Sequence, residues 1–228
     1  MDIASAAFWA ALGSIILANI VLSGDNAVVI ALAARSLPRH QQTKAIFWGS
    51  AAAIVMRILL TLIAVEMLKW PYLKIVGALL LLYIGISLLS EGGGDEEGHK
   101  EIGGLGAAIR TILVADLVMS LDNVLAVAAA AKGDTLLLVL GLGISIPLII
   151  FGSTLLLKVM ERFPIIITLG AALLGYLAGE MMLTDPAVGQ HFGEQSHAAA
   201  NLAGIIGAVL VVALGRYLQR RQSAAARA

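Results

Sequence analysis

Long apolar runs separated by short polar clusters dominate this 228-residue chain. Seven runs reach the roughly 20 apolar residues that a bilayer crossing requires. They lie at 6–34, 45–68, 72–90, 104–131, 135–157, 163–183 and 198–218. The pattern predicts an all-α polytopic membrane protein with seven transmembrane helices. Composition agrees: 60% of residues are hydrophobic, 13% are charged, and the mean hydropathy is +0.94. Soluble domains are nearer about 45–50% apolar and about 25% charged. The first run is expected to remain in the protein, because Asp2 is the only early charge and no basic segment precedes the run.

The polar residues inside the runs repeat. Asn19 to Ala31 reads NIVLSGDNAVVIA, and Asp116 to Ala128 reads DLVMSLDNVLAVA. At an offset of 97, Asp25 and Asn26 fall on Asp122 and Asn123, Ser23 on Ser120, and Asn19 on Asp116. Further on the offset becomes 93, matching Pro71 with Pro164, Gly77 with Gly170 and Tyr83 with Tyr176. The difference arises where the long polar loop RSLPRHQQTK shortens to KGDT. Residues 1–90 therefore form one three-helix unit and 104–183 a second copy. An acidic linker at 91–103 joins them, and 184–228 adds a loop, a seventh helix and a basic tail. A unit with an odd number of crossings sends its second copy in from the opposite side. The expected architecture is an inverted 3+3 repeat plus one C-terminal helix, the plan of many secondary transporters.

Basic residues orient the chain. With the N-terminus outside, eleven Lys and Arg lie in cytoplasmic loops and the tail, and only Lys69, Lys74 and Lys132 lie outside. Arg57 falls within a run. The acidic linker EGGGDEEGHKEIGG then faces the cytoplasm; its glycines and charges read as a solvated, flexible segment. The expected location is the cytoplasmic membrane, multi-pass, with the C-terminus inside.

Chemistry is concentrated in the deep polar groups. Placing an aspartate at bilayer depth costs about 2.5–3.5 kcal/mol, so an intramembrane acid is by default functional. Asp116 and Asn123 are two turns apart, on one helix face and about 10 Å apart along the axis. Asn19 and Asn26 repeat that spacing, with Asp25 and Asp122 beside them. Gly24, just before Asp25, favours a local break that would free backbone carbonyls as further ligands. All of these are hard oxygen donors, which suit Mg²⁺, Ca²⁺ or Mn²⁺. The chain has no cysteine, and its four histidines all lie outside the runs. Met119, one turn before Asn123, would tilt such a site toward Mn²⁺; as a gap-filling side chain its plainer reading is packing. Glu180 lies near the end of the sixth run, where it serves either the site or the interface. Four deep carboxylates (Asp25, Asp116, Asp122 and Glu180) face one deep cation, Arg57, whose plainest role is a structural ion pair. If these groups converge, the excess of negative charge calls for a divalent cation and a proton. The expected metal set is Asp25, Asn26, Asp116, Asp122, Asn123, Asn19 and Glu180.

The segments LSGDNAVVIALAAR (22–35) and ADLVMSLDNVLAVAAA (115–130) resemble the TerC family of integral membrane proteins, in its YjbE-type branch. The resemblance covers roughly residues 6–218. It implies a role in metal-ion homeostasis, chiefly export of Mn²⁺ from the cytoplasm, and a link by name to tellurite resistance. It makes Asp25, Asn26, Asp122 and Asn123 the motif positions, with Asp116 the acid that precedes the second motif. The implied function is a divalent-cation exporter, with the cation as substrate and no cofactor; the charge balance above adds coupling to protons. Its expected partners are the lipid bilayer and the cation, with no nucleic acid.

Other readings fit parts of the pattern. An exporter of small molecules such as amino acids would need an aromatic or apolar pocket beside the acids, and few aromatics lie there. An intramembrane aspartyl protease would use two aspartates that share a proton, but those enzymes carry Gly-x-Gly-Asp, whereas Asp25 follows Leu-Ser-Gly and Asp122 follows Met-Ser-Leu. No enzyme is expected. A partner protein that assists metallation of envelope proteins is a further alternative. The charge asymmetry makes a direct prediction: a reporter fused after Arg221 registers as cytoplasmic and one placed near Gln190 as external. An external C-terminus would overturn the orientation.

Overall fold

A computed structural model describes residues 6–22, 24–67, 70–90, 104–131, 134–188 and 197–225. Eight helices and no strand occur among the described residues: α1 (Ala6–Leu22), α2 (Gly24–Arg35), α3 (Arg39–Met67), α4 (Leu73–Ser90), α5 (Gly104–Ala131), α6 (Thr135–Arg162), α7 (Ile165–Leu183) and α8 (His197–Ala225). Six of them are long and apolar enough to cross a membrane, and α1 carries the shorter apolar stretch Phe8–Leu17. The protein is an all-helical polytopic membrane protein.

The first expected span, 6–34, is described as two helices, with residue 23 outside the described residues. At the start of α2 the Asp25 carboxylate accepts the N–H of Asn26 at 2.8 Å. It thereby satisfies a first-turn amide, which a helix leaves without an intrahelical acceptor. Other helices outrun their apolar stretches. α3 begins at Arg39 rather than 45, α6 reaches Arg162, and α8 reaches Ala225. Hydropathy registers only the apolar turns, while polar residues such as His40, Gln41 and Gln42 continue the helix, Gln42 donating to the Leu37 carbonyl at 3.1 Å. The Pro38 carbonyl takes the N–H of Gln42 at 3.1 Å, which fixes where α3 starts. Asp134 caps α6 by accepting the Leu137 N–H at 3.1 Å.

The outer surface is built for lipid. Ile144, Phe151 and Leu155 of α6 and Ile205, Ile206 and Val209 of α8 are all exposed. Exposed aromatics lie toward both helix ends, Trp9, Trp70 and Tyr72 toward one and Trp48, Phe163 and Tyr217 toward the other, as in interfacial belts, and also mid-helix at Tyr83 and Phe151. Inside, α7 and α8 pack with their backbones in contact. A Cβ on Gly179 would strike the Ala203 carbonyl, and one on Gly175 the Gly207 carbonyl. Small residues one turn apart allow this approach, which is how helices associate when lipid removes the hydrophobic drive.

Helix directions follow from a few contacts. Only three residues separate α5 from α6, so these two run antiparallel. Ile15 of α1 lies against Gly141 of α6, and Ala27 of α2 lies against Gly152 eleven residues further along α6. The α1–α2 segment therefore runs parallel to α6 and antiparallel to α5. In the same way α3 runs alongside α5, with Gly49 against Ile112 at one level and Arg57 beside Asp116 at the next. Gly77 of α4 approaches Val118 of α5, while Gly170 of α7 approaches Val28 and Leu32 of α2.

The α7–α4 junction depends on one acid that the hydropathy pattern does not mark. Asp185, 1% exposed, accepts the N–H groups of Tyr72 (2.9 Å), Lys74 (2.9 Å), Ile75 (3.3 Å) and Ala187 (2.7 Å). Among the described residues, Tyr72 is the only non-glycine with positive φ, at 69°. For a bulky side chain that is a strained conformation held by its surroundings. Replacing Asp185 with Ala should therefore lower stability by about 1–3 kcal/mol, the range for losing a charged cap and its hydrogen bonds. Thermal unfolding of detergent-solubilised protein reads this directly, and an unchanged transition would remove Asp185 from the account.

Candidate functional site

The deepest charge is Arg57, 2% exposed and more than halfway along α3. A guanidinium in so dry a place needs its donors filled. Nη2 donates to Asp116 Oδ1 at 2.6 Å, Nη1 to Asn19 Oδ1 at 2.7 Å, and Nε to Ser120 Oγ at 3.0 Å. Ser120 also points its hydroxyl at Asp116 Oδ2 at 3.4 Å. Asn19 and Ser120 are completely buried, and Asp116 is 6% exposed. Three helices are tied at one point: α1 through Asn19, α3 through Arg57 and α5 through Asp116 and Ser120. Spacing explains the α5 contribution, because residues four apart share a helix face.

The residues that Arg57 bridges are equivalents in the repeat: Asn19 corresponds to Asp116 at the offset of 97. One arginine thus sits between matching positions of the two copies. The expected structural pairing of Arg57 is what the structure contains. Asp116 and Asn19, expected among the metal ligands, both face the guanidinium. Met119, 6% exposed, belongs to the apolar core.

A second polar point lies at the start of α2. The Asp25 carboxylate there is half-buried. Next to it Asn26 is 3% exposed, and neither its side-chain oxygen nor its side-chain nitrogen has a hydrogen-bond partner. A buried amide left in this state costs about 1–3 kcal/mol, so its persistence calls for an explanation such as a missing ligand. Asp25 and Asn26 set one half-buried carboxylate next in sequence to one buried amide without a partner.

The remaining expected residues do not all join. The backbone of Asp122 and Asn123 is helical within α5, and their side chains lie outside the described residues. Because α1–α2 and α5 are antiparallel and meet at Arg57, the two Asp-Asn motifs lie on opposite sides of the Arg57 level. Along α5 the backbone of Asp122 is six residues beyond Asp116, roughly 9 Å of helical rise. Glu180, near the end of α7, is half-buried and makes no side-chain hydrogen bond or ion pair. Among the described residues no three His, Asp or Glu side chains cluster closely enough to hold a metal. The acidic linker is also outside the described residues. Sequence reasoning missed Ser120 as a partner of Arg57, although its position one turn beyond Asp116 signalled it. It also missed Asp185, whose only signal was its place before Pro186 at a helix end.

A family model described as the integral membrane protein TerC family matches residues 4–223. The chain belongs to the TerC family. It is 43% identical over 202 residues to the membrane protein YjbE of Bacillus subtilis, covering 89% of this chain and 92% of that one. It is 26% identical to YceF of the same organism, over 76% of this chain and 70% of that one. The inner membrane protein YgdQ of Escherichia coli is 28% identical, over 68% of this chain and 73% of that one. No solved structure matches the chain significantly.

The arginine network makes a quantitative prediction. Arg57→Gln alone or Asp116→Asn alone leaves an uncompensated buried charge or donor, which costs about 3–5 kcal/mol. The double variant Arg57→Gln with Asp116→Asn is neutral and should recover most of that loss. Unfolding of the four proteins in detergent measures the coupling. Additive losses would show that the two side chains do not depend on each other.

Proposed function

We propose that this TerC-family protein is a transporter of the cytoplasmic membrane that exports a divalent cation, Mn²⁺, from the cytoplasm. The observation that carries the reading is the buried amide of Asn26, without a partner and directly beside the Asp25 carboxylate. A carboxylate and an amide oxygen are hard ligands, and a dication would satisfy both at once. Charge supports the same conclusion. Arg57 pairs with Asp116, so in this reading Asp25, Asp122 and Glu180 are the acids left to meet a cation. Asn26 and Asn123 complete the two motifs.

In this reading residues 1–90 and 104–183 are two inverted three-helix units joined by the cytoplasmic linker 91–103, and 184–228 supplies the seventh crossing and tail. The likeness of contacts in the two halves supports it: α1–α2 lies along α6 as α5 lies along α3. The N-terminus is external and the C-terminus cytoplasmic, from the placement of the basic residues. The inner-membrane name of the relative YgdQ accords with a cytoplasmic-membrane location. Protons couple to transport because they compete with the dication for the same carboxylates. Binding therefore weakens as pH falls.

Everted membrane vesicles loaded with a Mn²⁺-quenched dye test this. The native protein should drive Mn²⁺ uptake into the vesicles, and Asp25→Asn should abolish it while expression and insertion stay normal. Asparagine keeps the size and one oxygen but removes the charge on which a dication in a low-dielectric site depends. Full uptake by the Asp25→Asn variant would make Asp25 structural and end the proposal.

A further inference from the structure

Among the described residues, every buried Ser or Thr but one makes a side-chain hydrogen bond. Thr61 donates to the Arg57 carbonyl at 2.7 Å, Ser145 to the Gly141 carbonyl at 2.9 Å and Ser153 to the Ile149 carbonyl at 2.8 Å. Ser90 donates to the Ser87 carbonyl, and Ser120 serves Arg57 and Asp116. Bonding back to the preceding turn is the usual way for a helix to satisfy such a group. Ser50 of α3 departs from it: the residue is 1% exposed and its hydroxyl has no hydrogen-bond partner. The register of α2 against α3 places a second such group beside it. Asn19 and Arg57, joined at 2.7 Å, lie nineteen residues before and after Pro38, where the chain turns between α2 and α3. Asn26 and Ser50 lie twelve residues before and after it. The antiparallel course of the two helices carries both to one level, each about two turns, roughly 10 Å, from the Arg57 contact. Ser50 and Arg57 also share the buried face of α3. Two buried side chains without partners therefore stand at one level on neighbouring helices, with Asp25 next in the chain.

We propose that Ser50 is a further ligand of the cation site at Asp25 and Asn26, so that the site lies between α2 and α3 and offers a carboxylate, an amide and a hydroxyl. This rests on the transport reading given above and adds the group that α3 contributes. All three donors are oxygens, which keeps the site hard and suited to Mn²⁺, Mg²⁺ or Ca²⁺. One cation takes lone pairs from Asn26 Oδ1 and Ser50 Oγ together, so a single occupant answers for two groups that burial would otherwise penalise. A buried water would bridge the same two groups, but being neutral it brings no charge to the adjoining Asp25 carboxylate. The second copy lacks the hydroxyl: the positions matching Ser50 at offsets of 93 and 97 are Gly143 and Pro147. Ser50 therefore sets the surroundings of the first motif apart from those of the second. In the orientation proposed above, Arg35 and Arg39 are cytoplasmic. The layer of Asn26 and Ser50 then lies between them and Arg57, on the side from which an exporter loads its substrate.

Calorimetric titration of the purified protein in nanodiscs with Mn²⁺ tests the assignment. Ser50→Ala should weaken Mn²⁺ binding about tenfold or more, the effect of losing one contact to a charged group. Without metal, its unfolding temperature should be unchanged or higher, because alanine removes an unsatisfied hydroxyl. Ser145→Ala, which removes a back-bonded hydroxyl instead, should keep native Mn²⁺ affinity. Ser50→Cys changes the chemistry of the site rather than deleting a ligand. A thiolate should turn the preference from Mn²⁺ toward Cd²⁺. Cd²⁺ should then produce the ultraviolet absorption of a metal–thiolate bond, which the native chain, having no cysteine, cannot give. Adding Asp25→Asn to Ser50→Cys should weaken that Cd²⁺ binding about tenfold or more, because both groups hold one ion. Native Mn²⁺ affinity in Ser50→Ala would overturn Ser50 as a ligand and assign its hydroxyl and the Asn26 amide to a bridging water. An equal loss in Ser145→Ala, or a Cd²⁺–thiolate signal indifferent to Asp25, would overturn it too. Each of these results leaves the transport reading standing. A native protein that neither binds nor moves Mn²⁺ would defeat that reading and this ligand with it.

Discussion

A guanidinium cannot be left alone in a low-dielectric interior, and the centre of this molecule is arranged around that constraint. Arg57 is brought to depth by α3, a long helix whose ends are polar and whose middle is apolar. Satisfying it takes a carboxylate, an amide and a hydroxyl drawn from two other helices. Three helices that could otherwise slide against lipid-like neighbours are thereby locked in register. Apolar packing alone supplies little such specificity in a bilayer, where lipid tails compete on equal terms with side chains. The glycine contact of α7 with α8 and the Asp185 cap on α4 hold the periphery in a comparable way, by close backbone approach and by charged hydrogen bonds.

From that lock the placement of the Asp-Asn motifs follows. α1–α2 and α5 run in opposite directions and share the Arg57 level, so equal steps along each lead away from one another. The Asn26 amide, buried and unsatisfied, then stands on one side of a neutralised ion pair rather than inside a common acidic cluster. A neutral Arg57–Asp116 pair leaves Asp25 as the ionisable group beside that amide. Electrostatics thus separates groups that composition alone merges: one acid holds the arginine, and another lies beside a buried amide.

Much of this was legible in the chain. Apolar runs of membrane length, the paired motifs at Asp25–Asn26 and Asp122–Asn123, and an arginine too deep to reach the interface all point to helices, repetition and an internal ion pair. The glycine before Asp25 marks a helix boundary for the same reason that it disfavours helix interiors. Other features were hidden because they depend on contacts distant in sequence. The choice of Asp116 rather than Asp25 as the Arg57 partner is set by how α3 lies along α5, which no local pattern encodes. Asp185 caps a helix more than a hundred residues earlier in the chain. Counting deep acids treated them as one pool, whereas Asp116 is taken up by Arg57.

The central claim is that Asp25 and Asn26 form a cation half-site bounded by the Arg57–Asp116 pair. The most direct measurement is a cryo-electron microscopy structure in lipid nanodiscs at saturating Mn²⁺. The account predicts density bonded to the Asp25 carboxylate and the Asn26 amide oxygen, with Arg57 still on Asp116. A single cation held jointly by both Asp-Asn motifs, or an Asn26 amide still without a ligand, would contradict it.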